Sequence, residues 1–163
     1  MIREVTEGLG LQVVLEPGRV IAGNAGVMIT EALYHKPAPD RTFLIIDAGM
    51  NDLMRPALYQ AHHDIVPLSE PYADKPMVEY DVVGPICEST DKFATKRHMP
   101  EVEPGARIAF MSSGAYGAVL SSQYNARPLV AEVLVDDAQY AIVRRRPSFD
   151  EMIALEQTPD WLS

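Results

Sequence analysis

The sequence predicts a mainly β domain, folded as a barrel or a sandwich. Thirteen prolines and ten glycines divide its 163 residues into short segments, and most segments are rich in the β-branched and aliphatic residues that strands favour. Roughly seven strands against two or three short helices is the ratio expected of β-barrels and β-sandwiches. A domain of this length buries about two-thirds of the surface that its unfolded chain exposes.

The predicted strands are short apolar runs bounded by turn-forming residues. Thr42 to Asp47 is apolar almost without a break, so both of its faces are expected to be buried. The strand before it is expected to end ahead of Pro37 and Pro39, because proline cannot donate to a ladder. Asp136-Asp137 predicts a hairpin turn between the last two strands. The runs cover residues 11–15, 27–34, 42–47, 63–68, 78–86, 107–111, 129–135 and 139–145.

Two helices are predicted from capping residues. Asp52 is placed to cap the first, and Pro56 falls in its first turn, where a missing N–H costs nothing. Ser148 or Asp150 is placed to cap the second. The predicted helices cover residues 53–61 and 149–157.

Charge and cysteine content exclude several classes of partner. Lys and Arg number 14 against 23 Asp and Glu, so the formal net charge is −9, whereas nucleic acids and anionic membranes bind basic faces. Cys87 is the only cysteine, which excludes an internal disulfide and a cysteine-based zinc site. There is no secretory signal pattern and no run of about 20 apolar residues that could span a membrane. The expected location is the cytoplasm.

Two arginine-bearing segments are candidate anion sites. Glu16 and Arg19 flank a Pro-Gly turn after the first predicted strand, and parallel barrels place their sites at the C-terminal ends of strands. Arg55 and Tyr59 are four residues apart and share one face of a helix, where a guanidinium beside a phenol can bind a carboxylate. The structural alternatives are an exposed ion pair at the first segment and an arginine packed along a tyrosine ring at the second.

Two other segments place one reactive group among small or polar residues. Cys87 is followed at once by Glu88 and two hydroxyl residues, which indicates a loop facing a polar site; the alternative is a small buried hydrophobe. No histidine lies near Cys87 in sequence to activate it as a nucleophile. Tyr116 stands among small residues that allow a ligand to approach the backbone.

The histidines do not form a metal set. His62 and His63 are adjacent and would point to different faces, and His35 and His98 are expected in polar loops. No metal site is therefore predicted.

Taken in order, these segments resemble the diaminopimelate decarboxylases, pyridoxal-phosphate enzymes that release CO₂ from meso-diaminopimelate to make L-lysine. Each segment alone is weakly specific, and the ordered set is specific. The matching segments are Gly8 to Leu11, Glu16 to Arg19, Asp47 to Tyr59, Val82 to Asp91, Gly114 to Gly117 and Tyr124 to Pro128.

The resemblance implies the C-terminal part of an enzyme with the fold of ornithine decarboxylase and alanine racemase (fold type III). Such enzymes begin with a large (β/α)₈ barrel and end with a C-terminal β-barrel or sandwich domain. Residues 1–25 would be a remnant of the end of the barrel, including its last strand, and residues 26–163 the C-terminal β-domain. Without parallel neighbours, residues 1 to about 25 are expected to be rearranged, disordered or paired with another chain.

The resemblance also implies which residues meet the cofactor, pyridoxal 5′-phosphate, and the distal end of a small diacid amino acid. Glu16 would face the pyridinium nitrogen and keep it protonated. Tyr116 and Arg19 would lie near both the cofactor and the substrate. Arg19, Arg55 and Tyr59 would hold the distal carboxylate of the substrate.

Across the interface of a homodimer, Cys87 and Glu88 would enter the active site of the neighbouring subunit. Glu88 would bind the distal amino group of the substrate, and Cys87 would be a catalytic residue.

The Schiff-base lysine, the histidine stacked on the cofactor and the glycine-rich phosphate loop of the family have no counterpart in this sequence. None of its lysines follows an apolar strand, where desolvation could depress the pKa; they are Lys36, Lys75, Lys92 and Lys96. The chain alone is therefore expected to be inactive.

Two alternatives stay open at the sequence level. The chain could be a barrel-less regulatory or binding partner of a decarboxylase, which the reading frame upstream of Met1 would test. It could also belong to a related decarboxylase of ornithine, arginine or another basic amino acid. Arg55 and Tyr59 favour a substrate with a second carboxylate over a diamine precursor.

Overall fold

The structure is a computed structural model that describes residues 2–68, 72 and 74–162. Strands predominate in these residues, and the helices have only five residues each. The strands are β1 (Met28–Ala38), β2 (Arg41–Ile46), β3 (Ile65–Pro67), β4 (Met77–Val83), β5 (Lys92–Pro100), β6 (Arg107–Phe110), β7 (Glu132–Asp136) and β8 (Gln139–Arg144). The helices are α1 (Ile2–Thr6), α2 (Arg55–Tyr59) and α3 (Phe149–Ile153), and short 3₁₀ turns lie at 23–25, 118–120, 124–126 and 160–162.

Six strands form one strongly curved sheet in the order β3-β6-β1-β2-β4-β5. β2 and β4 pair in parallel, and the other neighbours are antiparallel. The two edges approach each other, because the Arg97 guanidinium on β5 donates to the carbonyl oxygen of His63 just before β3, at 3.0 Å. The sheet is thus a nearly closed barrel, and the mainly β prediction is confirmed.

The core lies inside this curved sheet. Leu44, Ile46, Val82 and Ile108 are fully buried, each stabilising the fold by about 1.5–3 kcal/mol relative to an exposed side chain. The Phe93 and Phe110 rings pack at a centroid distance of 4.9 Å. β2 is buried on both faces over its last three residues, as its continuous apolar run predicts.

The strand predicted over residues 11–15 is absent from the described structure, where residues 10–18 have no regular secondary structure. Their side chains are exposed, including Val14 at 74%. A parallel barrel strand needs ladder partners on both sides, and no described strand pairs with this segment. α1 precedes it and was not predicted.

Two further predictions about strands are wrong. β1 continues through Pro37 because this end of the strand pairs only with β2, while β6 pairs no further than Glu31. The missing N–H of Pro37 therefore interrupts no second ladder. β5 was not predicted, because its sequence is polar; it contains His98, and β1 contains His35, so neither histidine lies in a loop.

The helix predictions are correct in place and too long in extent. Pro56 stands in the first turn of α2 as predicted, but Met54 occupies the N-cap position without a side-chain bond. α3 begins after Ser148, one of the two predicted capping residues. The Ser148 hydroxyl accepts from the Glu151 N–H, and the Glu151 carboxylate accepts from the Ser148 N–H. The β7–β8 hairpin forms as predicted. The prolines of the stretch 69–76 predict a loop between β3 and β4, which falls partly on residues outside the described ranges.

Asp52 ties down the turn before α2 instead of capping the helix. Its buried carboxylate accepts from the backbone N–H of Gly49 at 2.8 Å and from the Asn51 amide at 3.2 Å. Arg127 lies 3.5 Å from the same carboxylate and donates to the carbonyl oxygen of Asp47 at 2.6 Å. The segment that carries Arg55 is thereby fixed to the end of β2.

Asp91 joins the segment before α2 to the loop that carries Cys87. Its two buried carboxylate oxygens accept from the backbone N–H groups of Met50 and Ile86, each at 2.6 Å. Gly84 makes room for this carboxylate, because a Cβ there would collide with it. Burial raises the pKa of Asp91 despite both N–H donors. One side chain therefore fixes the relative position of two segments.

Asp91→Ala should lower the free energy of unfolding by about 2–5 kcal/mol, because it leaves two buried N–H groups without an acceptor. Asp91→Asn keeps one acceptor oxygen and should cost about half as much. The exposed Asp136→Ala on β7 is the control and should stay within about 0.5 kcal/mol of the parent. Urea unfolding followed by circular dichroism measures all three. Equal stabilities of the Asp91→Ala and Asp136→Ala variants would refute the bridging role.

Candidate functional site

Arg19 is anchored on the segment that follows β6. Its guanidinium Nη2 donates to the carbonyl oxygen of Ser112 at 2.7 Å, and the Ser112 hydroxyl donates to Asn24 at 2.8 Å. Backbone bonds add to this contact, since the N–H groups of Ser113 and Gly114 donate to the carbonyl oxygens of residues 26 and 23. A Cβ at Gly114 would collide with the backbone of residues 22 and 26. The close approach therefore depends on that glycine.

Arg55 and Tyr59 lie on α2 and contact each other, as their four-residue spacing predicts. The Arg55 guanidinium carbon is 5.8 Å from the centroid of the Tyr59 ring, a distance at which a cation interacts favourably with a π system. α2 ends at once at Gln60, whose backbone is left-handed (φ 53°). The contact with Tyr59 limits the positions that the Arg55 guanidinium can take and leaves its positive charge unneutralised.

His63 is a member of this site that the sequence analysis considered only as a metal ligand. Its side chain is 3% exposed, and its Nδ1 lies 2.8 Å from the carbonyl oxygen of Met111, the residue before the one that binds Arg19. Burial lowers the pKa of His63, and the charges of Arg55 and Arg19 lower it further, whereas the bond to Met111 opposes them.

Arg19, Arg55 and His63 form what we call the arginine cluster. Each has a buried nitrogen without a hydrogen-bond partner among the described residues: Nε of both arginines and Nε2 of the histidine. Within the same described ranges, no carboxylate forms an ion pair with either arginine. Buried N–H groups normally have a hydrogen-bond partner, so the two half-buried arginines of the cluster provide the donors of an anion-binding site.

Tyr116 stands beside the cluster. Its hydroxyl oxygen would lie 3.2 Å from a Cβ at Gly18, next to Arg19, and the side chain is 45% exposed. Its backbone is left-handed (φ 56°), in a segment of small residues that Ser112 also enters with a positive φ. Glu16 lies in the exposed segment before Arg19, two residues from the tyrosine contact.

Cys87 and Glu88 lie on the loop that Asp91 holds. Cys87 is exposed, which excludes the buried-hydrophobe alternative. The N–H and hydroxyl of Thr90 and the hydroxyl of Ser89 hold the pKa of Glu88 below its usual range. Among the described contacts, no hydrogen bond joins Cys87 or Glu88 to the arginine cluster. The structure thus links Arg19, Arg55, Tyr59 and Tyr116 through neighbouring contacts, whereas it connects the Cys87–Glu88 loop only to the segment before α2, through Asp91.

An open cavity of about 380 Å³ lies between α2 and the segment 89–95. Its lining includes Pro56 and Gln60 on one side and Thr90 and Lys92 on the other. The cavity therefore separates α2 from the residues that directly follow the Cys87–Glu88 loop.

None of the four lysines is at the end of a buried apolar strand. Lys75 pairs with Glu103 at 2.9 Å, which raises its pKa. Lys36 is on β1, and Lys92 and Lys96 are on β5. Over the ranges that the structure describes, no group of three or more His, Cys, Asp or Glu could hold a metal ion, and none of the helices there is long and apolar enough to cross a bilayer.

Comparison with known proteins identifies relatives over almost the whole chain. Residues 14–114 match the family described as pyridoxal-dependent decarboxylase, C-terminal sheet domain. The diaminopimelate decarboxylase of Helicobacter pylori is 42% identical over 96% of this chain, which spans 38% of that relative's length.

Solved structures agree. The crystal structure of the H. pylori diaminopimelate decarboxylase in complex with L-lysine matches with a TM-score of 0.81 and 41% identity, over 95% of this chain and 38% of that one. A Chlorella virus arginine decarboxylase matches with a TM-score of 0.64 and 21% identity over 77% of this chain, a likeness that shows the fold alone. The chain belongs to the pyridoxal-dependent decarboxylase family and carries its C-terminal sheet domain.

Proposed function

We propose that this chain is the C-terminal portion of a diaminopimelate decarboxylase and that the arginine cluster binds the distal carboxylate of the substrate. The observation that supports this most directly is the pair of guanidiniums, held by protein contacts and left without a carboxylate partner among the described residues. A carboxylate would accept charge-assisted hydrogen bonds from both.

The rigidity of the two arginines favours binding. Arg19 is anchored through Nη2 to Ser112, and Arg55 is stacked against Tyr59, so less side-chain entropy is lost when a ligand orders them. Their buried Nε atoms have no partner in the described part of the chain. An incoming carboxylate would satisfy donors whose desolvation the fold has already incurred.

In this proposal the exposed residues beside the cluster face the cofactor. The Tyr116 hydroxyl is accessible and close to the Arg19 segment, and Glu16 is exposed two residues before Gly18. A carboxylate can accept from the protonated ring nitrogen of pyridoxal 5′-phosphate, and a hydroxyl can donate to its phosphate. When bound, that cofactor supplies an electron sink for the pair of electrons released as the bond to CO₂ breaks. The lysine that binds it would belong to a part of the protein outside these residues.

The Cys87–Glu88 loop is proposed to serve a neighbouring active site across a homodimer interface. Cys87 is exposed, and no described hydrogen bond ties the loop to this chain's arginine cluster. Glu88, with its lowered pKa, would meet the distal ammonium group as a carboxylate, and Cys87 would contact the reacting end of the substrate.

Arg55→Ala in the complete decarboxylase should lower kcat/KM for meso-diaminopimelate by about 100-fold or more, the effect expected when one partner of a desolvated charge pair is lost. Arg55→Lys should restore only part of it, because an ammonium cannot replace the bidentate fork. Steady-state kinetics with the exposed Arg146→Ala as control provide the measurement. An unchanged kcat/KM in Arg55→Ala would refute the assignment.

The 163-residue chain alone should form no stoichiometric adduct with pyridoxal 5′-phosphate that borohydride can trap. Its lysines are either paired, as Lys75 is with Glu103, or placed on the strands β1 and β5, and none has the buried apolar setting that would depress its pKa for imine formation. Mass spectrometry after reduction, with a complete diaminopimelate decarboxylase as positive control, measures the adduct. Specific labelling of one lysine would contradict the expectation.

A further inference from the structure

We propose that His63 is a proton-linked member of the arginine cluster, taking up a proton from solvent at Nε2 when a carboxylate binds beside Arg19 and Arg55. The inference rests on the proposed function, because it concerns the same carboxylate. It adds a positioning residue and a pH dependence that the two arginines alone would not produce.

The first step is the tautomer of His63. A carbonyl oxygen can only accept, so the 2.8 Å contact with Met111 requires the hydrogen on Nδ1. Nε2 of the neutral ring then carries a lone pair. It is buried and has no partner among the described residues, so it is the atom that can gain a proton.

The second step is the charge around the ring. Burial is the largest effect that disfavours a positive charge on His63, and Arg55 on α2, Arg19 and the preceding residue His62 disfavour it further. Arg97 on β5 is another cation beside this residue, since it donates to the His63 carbonyl oxygen at 3.0 Å. Asp64 is the carboxylate that acts in the opposite direction. It is exposed and already bonded to His62 at 3.0 Å. In the free site these effects hold the pKa of His63 below its usual value.

The third step is the effect of the ligand. A bound carboxylate adds a negative charge beside two guanidiniums, which offsets their repulsion of the imidazolium and raises the pKa of His63 relative to the free site. Linkage then fixes the sign: binding takes up a proton between the two pKa values, and affinity falls as pH rises through the pKa of the complex. At pH values below the pKa of His63 in the free site, the ring is protonated with and without the ligand, so the affinity no longer depends on pH.

His62 provides a matched control. It is exposed, its Nε2 is bonded to Asp64, and its Nδ1 lies 3.1 Å from a guanidinium nitrogen of Arg97. It therefore differs from its neighbour in both burial and partners. His62→Asn keeps the titrating nitrogen of His63, so this variant should still take up a proton when a carboxylate binds. His63→Asn keeps an N–H for the Met111 carbonyl and removes the titrating nitrogen.

The experiment is isothermal titration calorimetry on the complete decarboxylase, with L-lysine as the carboxylate-bearing probe and cadaverine as the same skeleton without a carboxylate. Heats measured in two buffers of different ionisation enthalpy give the protons taken up. We expect wild type and His62→Asn to take up a fraction of a proton per site with L-lysine and less with cadaverine. In His63→Asn the difference between the probes should disappear.

Affinity provides a second measurement. The wild-type Kd for L-lysine should rise by about 5-fold or more relative to that of His63→Asn across the titration. Equal uptake with both probes in wild type would overturn the inference without any variant. Retention of the difference in His63→Asn would also overturn it. If instead Arg55→Ala bound L-lysine as tightly as wild type, the proposed function itself would fail, so the two failures are distinguishable.

Discussion

The site depends on the backbone just beyond β6, where consecutive carbonyl groups hold two side chains that are far apart in sequence. The carbonyl oxygen of Met111 accepts from His63, and that of Ser112 accepts from Arg19. The N–H of Met111 donates to the backbone carbonyl oxygen of Asp64, and this bond places β3 beside the same segment. Because backbone groups make these contacts, the positions of both side chains follow from the path of the chain and the close approach at Gly114.

The charge of the side chains around this segment is opposite in sign to the net charge of the whole chain. The chain carries a formal net charge of −9, yet Arg19 and Arg55 have no carboxylate partner in the described structure. Several other arginines do have carboxylate partners, for example Arg145 with Glu151, whose pKa falls to about 2. Leaving two guanidiniums unpaired costs desolvation that a bound anion would offset. Local positive charge in an acidic protein also favours an anionic ligand at this one place.

The parts of the fold that sequence predicts are those where hydrophobic pattern and tertiary environment agree. β2 and the β7–β8 hairpin have unambiguous patterns, and α3 has a capping box. β5 was missed because a barrel edge strand with an exposed face has polar residues, and no periodicity distinguishes it from a loop. The end of β1 was predicted too early, because Pro37 is tolerated in a strand that has a ladder partner on one side only. That β6 does not reach Pro37 is a property of the sheet and cannot be inferred from the local sequence. Of the site, spacing predicted the contact between Arg55 and Tyr59; the place of His63 depended on the register of β3 against β6, which a single sequence does not contain.

Asp91 positions two segments of the site, and burying its charge to do so lowers the stability of the fold. Burial raises its pKa although two backbone N–H groups donate to it, so the folded protein binds this proton more tightly than the unfolded chain does. The contribution of this group to the free energy of unfolding therefore falls as pH rises above 3.8 toward its folded pKa. The ionised carboxylate thus costs stability, while its two oxygens align the Met50 and Ile86 amides. Those amides begin the segments that lead to Arg55 and to Cys87. A neutral side chain would remove the cost of charge burial, but only a carboxylate has two acceptors and no donor to meet two N–H groups at once.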